Sequence, residues 1–390
     1  MNIIVNTLSI KSDQSKQGGV ATYLLSLLDG LLNVASSEQI TLLCSELNER
    51  LFDRCVTGQS NVEKKVLPLR RDRPTLRILF DQVLVPLHCM QYENAVLLNP
   101  SSASSLLAPL PEVVVIQAGS VVHSIRRKMT DEAVTTSWLQ RFYYDTMLPL
   151  TLLRASQVVT VSNHLRQKIV GLYPWSEPKV RTVHEGVDLN RFLNDGERTS
   201  SAAAEPPYLL FVSTLYPYKH ADQAIRAFSR ASEKCDRKDL HLKLAGNDPG
   251  TESERLKQIA RENGVSGRVK ILGAVPHTEM PVLYRQAQAL LFPSSVESFG
   301  LPVLEAMACG TPVIGSNRMS IPEVIGDAGL VVDPADTEAM TDAVCRVLTD
   351  TSLQQRLAKA GKKRARSFTW EQTARGVWQA LRDALDDGAT

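Results

Sequence analysis

The stretch Ala289–Gly310 reads ALLFPSSVESFGLPVLEAMACG and predicts a strand, a turn and a short helix in direct succession. The opening residues ALLF are all apolar, which favours a strand buried on both faces of a parallel sheet. Pro302 suits the first helical position, since its fixed φ is already helical and its missing N–H needs no partner there. Gly310 suits the position after the helix end. We therefore expect a helix over Pro302–Cys309.

The same alternation of short apolar runs and helical patterns continues in both directions and predicts two doubly wound α/β domains. The predicted strands of the first half are Asn2–Asn6, Ile40–Cys44, Ala95–Leu98, Val113–Gln117, Val158–Val161 and Val180–His184, with helices such as Ala21–Leu32 and Ala133–Leu153. Those of the second half are Tyr208–Val212, His241–Ala245, Arg268–Leu272, Ala289–Phe292, Pro312–Gly315 and Leu330–Val332.

A change of composition at residues 194–207, NDGERTSSAAAEPP, indicates a linker. It separates a predicted domain 1–193 from a second domain 208–368. The two are expected to face a central cleft, with ligands beyond the carboxyl ends of the strands. A final helix within 369–390 is expected to pack back on the first domain.

Composition narrows the class of protein. The chain has 390 residues, 43% hydrophobic and 22% charged, with a net charge of +2. These values are typical of a globular protein and give no field that favours nucleic acid. The six cysteines are scattered without a C-x-x-C, and no signal peptide or long apolar run is evident. The sequence therefore predicts a cytoplasmic protein without disulfides or a zinc site.

The turn between the strand and the helix has the chemistry of an anion site. The backbone N–H groups of Phe299, Gly300 and Leu301 would be free at the positive end of the helix, where a diphosphate fits. Glu297 lies in the turn and Glu305 in the helix, and a carboxylate can accept two hydroxyl hydrogen bonds from a sugar. The alternative is that both glutamates only complement the helix dipole.

The segment Glu297–Glu305 with the following AMACGTPV resembles the E-x7-E signature of glycosyltransferase family four, retaining enzymes of the GT-B fold. The resemblance covers Val180–Phe368, and the first half of the chain matches more weakly. The other matching motifs are Gly186-Val187-Asp188 with Arg191-Phe192, Leu272–Pro276, Leu283-Tyr284, Pro322–Val324 and Phe368–Trp370.

The resemblance implies roles for single residues. Glu305 would bind the ribose of a nucleotide-sugar donor, and Glu297 would lie beneath the sugar. Lys219 matches the family's diphosphate lysine and would stabilise the leaving nucleoside diphosphate, unless it is a surface lysine. The remaining donor-binding residues implied are Val275, Ser298, Phe299, Gly300 and Leu301.

Gly18 and Gly19 stand between the first strand and a helix, where their backbone N–H groups would approach the diphosphate or the sugar. The sequence contains no D-x-D and no H-E-x-x-H. We therefore expect no metal and no cofactor, the nucleotide sugar being a substrate.

Two departures from the family pattern concern positively charged and histidine side chains. The arginine that commonly accompanies the lysine is replaced by Thr214 or Tyr218. A histidine common at the end of one strand is replaced by Gln117, and His123 follows six residues later. Gln117 and His123 are both candidates for contact with the acceptor or the donor sugar.

The resemblance implies retaining transfer of a hexose to a saccharide or lipid-linked saccharide, as in cell-surface polysaccharide synthesis. GDP-mannose is the favoured donor, with a UDP-sugar-dependent glucosyl- or N-acetylglucosaminyltransferase as the alternative. A sugar-nucleotide epimerase or a phosphorylase of the same fold also remains open. A non-enzymatic nucleotide-binding module is disfavoured, because no G-x-G-x-x-G follows a strand and no P-loop occurs.

Basic residues at Ser124–Lys128 precede a helical pattern with the aromatic residues Trp138, Phe142, Tyr143 and Tyr144. This combination suits the surface of a membrane. It gives the hypothesis of peripheral association with the inner face of the membrane, against the alternative of an amphipathic helix packed on its own sheet.

Overall fold

A computed structural model of the chain describes residues 1–10, 19–71, 73–117, 138–193 and 206–388. Two compact units divide the chain. The first comprises Met1–Glu185 with Trp370–Thr390, and the second comprises Gly186–Thr369. The chain thus leaves the first unit after Glu185, and of the linker predicted at 194–207 only the last two residues are described.

The first unit contains a sheet of seven parallel strands. Its strands are β1 (Asn2–Asn6), β2 (Gln39–Ser45), β3 (Val62–Leu67), β4 (Ala95–Asn99), β5 (Glu112–Ile116), β6 (Gln157–Thr160) and β7 (Val180–Thr182). Their order in the sheet is β3-β2-β1-β4-β5-β6-β7. The strand β3 was not predicted, because three of its six residues VEKKVL are charged and it lies at the sheet edge.

The second unit contains a sheet of six parallel strands. Its strands are β8 (Tyr208–Val212), β9 (His241–Ala245), β10 (Val269–Gly273), β11 (Ala289–Phe292), β12 (Val313–Ser316) and β13 (Leu330–Val332). Their order is β10-β9-β8-β11-β12-β13. Every predicted strand of this half is present within a residue of its predicted bounds, and the predicted fold class is confirmed.

Helices connect the strands. They are α1 (Gly19–Val34), α2 (Asp53–Val56), α3 (Pro74–Leu79), α4 (Val85–Cys89), α5 (Trp138–Arg154), α6 (Asn163–Leu172), α7 (Leu189–Phe192), α8 (Ala221–Lys234), α9 (Glu252–Glu262), α10 (Met280–Gln286), α11 (Leu301–Ala308), α12 (Ile321–Ile325), α13 (Thr337–Thr349), α14 (Thr351–Ala365) and α15 (Trp370–Gly388). A π-helical turn, Phe80–Leu84, joins α3 to α4. In the part of the chain that the structure describes, no helix is long and apolar enough to cross a bilayer.

Helix α15 packs on α1 of the first unit. The ring of Tyr23 meets that of Trp370 edge-on at a centroid distance of 5.7 Å. A Cβ added to Gly30 would lie 2.7 Å from the Cβ of Ala374. The close approach of the two helices therefore depends on the small residues Gly30 and Ala374. At the other end of α15, Arg181 bonds Asp383 at 2.7 Å.

Both sheets share one feature that positions ligands. In each sheet, the chain begins at a central strand and adds strands out to one edge. It then returns and adds the remaining strands on the other side of the first strand. The strand order therefore reverses between β1 and β4, and again between β8 and β11. Loops leaving the carboxyl ends of such strand pairs diverge and form the usual ligand crevice of parallel α/β sheets.

Candidate functional site

Lys219 and Glu297 meet at the reversal point of the second sheet. Lys219 ends the short 3₁₀ helix Pro217–Lys219 after β8, and Glu297 lies in the loop after β11. The Lys219 Nζ is 2.5 Å from the Glu297 Oε1 and donates to the Val296 carbonyl at 3.2 Å. Lys219 is only 9% exposed, so the alternative of a surface lysine is wrong.

Hydrogen bonds fix the loop that carries Glu297. The single proton of the Ser320 hydroxyl is shared between the carbonyls of Glu297 at 3.0 Å and Phe299 at 2.8 Å. The Ser295 N–H donates to the Tyr218 carbonyl at 3.0 Å, which joins this loop to the one that carries Lys219. Hydrogen bonds therefore join the loop that carries Glu297 both to Ser320 and to the loop that carries Lys219.

Helix α11 begins at Leu301 and ends at Ala308, one residue earlier at each end than predicted. Gly300 precedes it with φ 115°, and no side chain caps the helix N-terminus. A Cβ at Gly300 would lie 2.7 Å from the Ile321 Cδ1. At the other end, Gly310 follows the helix as predicted, with φ 76°, and its N–H donates to the Met307 carbonyl at 3.0 Å in a Schellman-type end.

Two donors hold the Glu305 carboxylate. The Tyr284 hydroxyl donates to Oε2 at 2.8 Å, and the His277 Nε2 is 2.9 Å from Oε1. The Arg191 Nη1 lies 2.7 Å from the His277 Nδ1. Because a guanidinium can only donate, Nδ1 must accept, and Nε2 carries the N–H that donates to the Glu305 carboxylate. Glu305 thus keeps acceptor capacity for two further donors.

Burial, followed by the neighbouring Glu305 carboxylate, raises the pKa of Tyr284 well above its usual range. The phenol therefore stays protonated and remains a donor. Tyr284 belonged to a quoted motif, but nothing in the sequence connected it to Glu305, 21 residues away. His277 carried no sequence signal beyond its place after the motif Leu272–Pro276.

The other predicted donor-binding residues of the second unit lie on the loops around α11. Val275 is half-exposed between β10 and α10, and Ser298 is half-buried. Phe299 is buried and meets Phe368 edge-on at 5.8 Å. Leu301 is the first residue of α11. This arrangement leaves the backbone of Gly300 and Leu301 beside the Glu297 loop.

Tyr218 occupies one of the positions where the family commonly has an arginine. Its ring stacks on Tyr216 at 5.4 Å, and its centroid lies 5.2 Å from the Lys219 Nζ. An aromatic face near the ammonium group stabilises the positive charge but adds none. Arg191, by contrast, contacts His277, which in turn contacts Glu305.

In the first unit, Gly19 is the exposed first residue of α1. Gly18 and His123 lie outside the described residues, as do Ser124–Lys128. Gln117 follows β5 and is 3% exposed, and its N–H donates to the Ser102 Oγ at 3.1 Å. Among the described residues its Nε2 has no hydrogen-bond partner, so a buried donor remains available to a ligand.

Asn6 and Asp81 form a further polar pair at the reversal point of the first sheet, which sequence analysis missed. The Asn6 Nδ2 donates to the Asp81 Oδ1 at 2.9 Å. Asp81 lies in the π-helical turn, a distortion that is frequent at functional sites. Burial raises the pKa of this carboxyl to about 6, against the opposing effects of Asn6 and Arg77.

The match to a family model falls within the second unit. Residues 195–364 match the family model described as Glycosyl transferases group 1. The chain is 32% identical over 239 residues to the O-antigen chain mannosyltransferase B of Escherichia coli, across 59% of this chain and 61% of that protein. It is 31% identical over 243 residues to a D-inositol 3-phosphate glycosyltransferase of Saccharomonospora viridis, across 59% of this chain and 56% of that protein. The matches thus span about three fifths of these relatives.

Among solved structures, Anabaena HepE in complex with UDP and glucose has a TM-score of 0.74 at 17% identity, covering 98% of this chain and 99% of that chain. WaaG, a glycosyltransferase involved in lipopolysaccharide biosynthesis, has a TM-score of 0.71 at 15% identity, covering 97% and 99%. Residues 195–364 are therefore a region similar to glycosyl transferases group 1, within a chain that has the two-domain fold of the GT-B glycosyltransferases.

Proposed function

We propose that this chain is a retaining hexosyltransferase that uses a nucleotide sugar and needs no metal. The observation that carries the proposal is the charged arrangement around α11. Lys219 and Glu297 are in contact on one pair of loops, and Glu305 is held by Tyr284 and His277 within the helix. A nucleoside diphosphate, a ribose and a hexose require a cation, a hydroxyl acceptor and a second carboxylate, which these residues supply.

Lys219 is the proposed electrostatic catalyst. Two of its three ammonium protons have acceptors among the described residues, Glu297 and Val296, which leaves one for a phosphate oxygen. Placed in a buried site, a fixed positive charge stabilises the negative charge that develops on the departing diphosphate. The bare N-terminus of α11 would add backbone N–H groups to the same oxygens.

Transfer breaks the bond between the anomeric carbon and the diphosphate oxygen and forms a bond from that carbon to the acceptor hydroxyl. We propose a front-face reaction, in which the acceptor proton passes to the departing phosphate oxygen and the anomeric configuration is kept. Glu297 would lie beneath the sugar and orient its hydroxyl groups, and Glu305 would bind the ribose. Neither carboxylate then has to act as a nucleophile.

GDP-mannose is the donor we favour, with a saccharide or lipid-linked saccharide of a cell-surface polysaccharide as acceptor. A relative whose name states mannosyl transfer to O-antigen chains supports this choice. The alternative is a UDP-glucose- or UDP-N-acetylglucosamine-dependent enzyme, which a neighbour in complex with UDP and glucose supports. An epimerase or phosphorylase of the same fold is the other alternative.

The test is a thermal-shift screen of the whole chain against nucleoside diphosphates and their sugars, followed by product analysis with the donor that binds. We expect one diphosphate to raise the melting temperature and its sugar to yield a glycoside whose anomeric configuration, read by NMR, matches the donor. Activity that persists in excess chelator is expected. An inverted product or loss of activity in chelator would refute the retaining or metal-free mechanism.

A further inference from the structure

His220 lies between the loop that carries Lys219 and the start of α8, in a backbone conformation that few side chains adopt. The short 3₁₀ helix Pro217–Lys219 ends there, and the His220 N–H donates to the Pro217 carbonyl at 3.0 Å. Helix α8 begins at the next residue, and the His220 carbonyl accepts from the Ala224 N–H at 3.2 Å. Between the two helices His220 has φ 55° and ψ 41°, in the left-handed region. Glycine occupies this region without a steric cost, so a histidine here calls for a further reason.

The imidazole ring of His220 reaches the loop that carries Glu297. Its Nε2 lies 2.5 Å from the Ser295 Oγ. This contact can persist in either charge state of the ring, because a bare Nε2 accepts from the hydroxyl and a protonated Nε2 donates to its oxygen. The ring therefore supplies a hydrogen bond between the two loops that a glycine at position 220 could not make.

Ser295 is bonded from residues on both sides of Lys219. Its N–H donates to the Tyr218 carbonyl at 3.0 Å, and its hydroxyl contacts the ring of His220. Lys219 stands between these two anchors in the chain, and Glu297 follows Ser295 by two residues. A shift of the Lys219 backbone away from the Glu297 loop must therefore break at least one of the two bonds.

The place of the Lys219 ammonium group determines how far it can stabilise a departing diphosphate. Its Nζ lies 2.5 Å from the Glu297 Oε1 and donates to the Val296 carbonyl at 3.2 Å. Both acceptors belong to the loop that Ser295 joins to His220. The interaction of a fixed charge with a developing charge falls with distance, and a misplacement of about 1 Å can lower a rate by up to about 100-fold. A bond that fixes these two loops therefore acts on the rate.

We propose that His220 is a positioning residue for Lys219 and Glu297. Its hydrogen bond to Ser295 holds the two charged side chains at the separation that stabilises the departing diphosphate. The proposal rests on the proposed function for that role of Lys219. His220 acts through the two loops and not by contact with the substrate, and its left-handed backbone is the conformational cost of placing the ring against Ser295.

The test uses substitutions that separate the backbone conformation from the hydrogen bond. His220→Gln carries an amide that can donate and accept at about the distance of the Nε2 from the backbone, so kcat should stay within about twofold. His220→Asn tolerates the left-handed backbone, but its amide stops about one bond short. Its kcat should fall about tenfold, with KM for the donor changed less than about twofold. Ser295→Ala should lower kcat as much, and Ser295→Ala with His220→Asn should lower it no further.

Asp236→Gly is the matched control for the backbone. Asp236 is exposed, follows the other end of α8 and also has a left-handed conformation, with φ 50°. Its replacement should leave kcat unchanged. His220→Gly removes the ring and the steric cost together. Its melting temperature should therefore stay close to that of the unaltered chain, while its kcat falls as in His220→Asn.

Three kinetic results would overturn the proposal. A loss of kcat in His220→Gln as large as that in His220→Asn would mean that the ring acts by its charge and not by its bond to Ser295. Independent losses in the double variant would separate His220 from Ser295. A fall of kcat in Asp236→Gly equal to that in His220→Gly would assign the effect to the backbone of α8.

Hydrogen exchange of the Ser295 N–H, followed by NMR without any substrate, tests the bond itself. This N–H donates to the Tyr218 carbonyl, so it reports whether the two loops stay together. Exchange should be faster in His220→Asn than in the unaltered chain and in His220→Gln. Equal protection in all three would overturn the proposal. Faster exchange in His220→Asn alone, with no sugar transfer by the unaltered chain, would refute the proposed function and leave the bond between the loops in place.

Discussion

The two sheets present the same topological position with different chemistry. At the reversal point of the second sheet, a lysine and a glutamate are in contact and a second glutamate is held by two donors. At that of the first sheet, an amide pairs with a carboxyl whose pKa is raised to about 6, and the buried amide of Gln117 follows the neighbouring strand β5. Under the proposed function, the lysine of the second edge would face the diphosphate and the polar groups of the first edge would face neutral hydroxyl groups.

This difference is the one that the proposed sugar transfer would require of the two edges. A diphosphate carries negative charge into the site and leaves with more, so a fixed cation contributes directly to the rate. An acceptor alcohol is neutral and needs orientation, which amides and hydroxyls provide without a large cost of desolvation. The comparison predicts that charge changes on the second sheet will affect rate and nucleotide affinity, whereas those on the first will not affect nucleotide affinity.

The largest effect is expected for Glu297→Ala. The substitution removes the carboxylate beneath the sugar and its contact with Lys219, so transfer should fall by about two to three orders of magnitude. The fold should persist, because the backbone bond from Ser295 to Tyr218 and the Ser320 hydroxyl still hold the loop. Product formation and thermal melting measure both effects. Glu279→Ala, an exposed glutamate of the same unit, is the control. Turnover close to that of the unaltered chain would sink the assignment of this edge.

Lys219→Met should lower the rate by about two orders of magnitude with a smaller loss of diphosphate affinity, because the charge matters most as the leaving group departs. Lys257→Met on α9 is the control, since that lysine is 53% exposed and pairs with Glu254. Steady-state kinetics separate kcat from KM. If the Lys219–Glu297 contact acts as a unit, Lys219→Met with Glu297→Ala will cost less than the two losses combined.

Glu305→Gln should weaken nucleotide binding by about tenfold, the loss of roughly one charged hydrogen bond. Since the ribose is common to all donors, calorimetry should find the same fold-change for GDP and UDP, whichever binds more tightly. Glu338→Gln, an exposed glutamate on α13, should change neither affinity. A loss confined to one base would mean that Glu305 reads the base and not the sugar.

Asp81→Asn should have the smallest effect and should leave nucleotide affinity unchanged. The folded pKa of about 6 lies above the ordinary unfolded value, so the folded state holds the proton more tightly. Stability of the unaltered chain should therefore fall as pH rises from about 4 to about 6 and then level off. The amide removes this fall and gains about 1 kcal/mol above pH 6, discounted because the side chain is partly solvated. Urea unfolding at pH 4.5, 5.5 and 7 measures it; parallel curves would contradict the raised pKa.

The sequence predicted the strands of the second sheet better than it predicted the edge strand β3 of the first sheet or the contacts between polar side chains. Tyr208–Val212 and Ala289–Phe292 are apolar and lie in the middle of a sheet, so burial on both faces is visible in their composition. The strand Val62–Leu67 has a partner on one side only and can carry lysines, which hides it. The fold class depends on these apolar central strands, which is why the sequence could predict it.

The contacts of the site depend on residues distant in sequence. Glu305 was identified from its motif, but His277 is 28 residues away and contacts it from the loop between β10 and α10. Asn6 and Asp81 are 75 residues apart, and neither belongs to a pattern. Periodicity and short motifs report local backbone and cannot report which distant side chains meet. The roles assigned to Glu297, Lys219 and Gln117 remain predictions.

Helix α15 has a consequence for how the chain is made. It belongs to the first unit, yet it is synthesised after the whole of Gly186–Thr369. During synthesis, the face of α1 that carries Tyr23 and Gly30 can be covered only after Trp370 and Ala374 have left the ribosome. The second unit has all its strands before that moment and can fold first. A nascent chain released before Thr369 would expose the apolar face of α1 to chaperones and proteases.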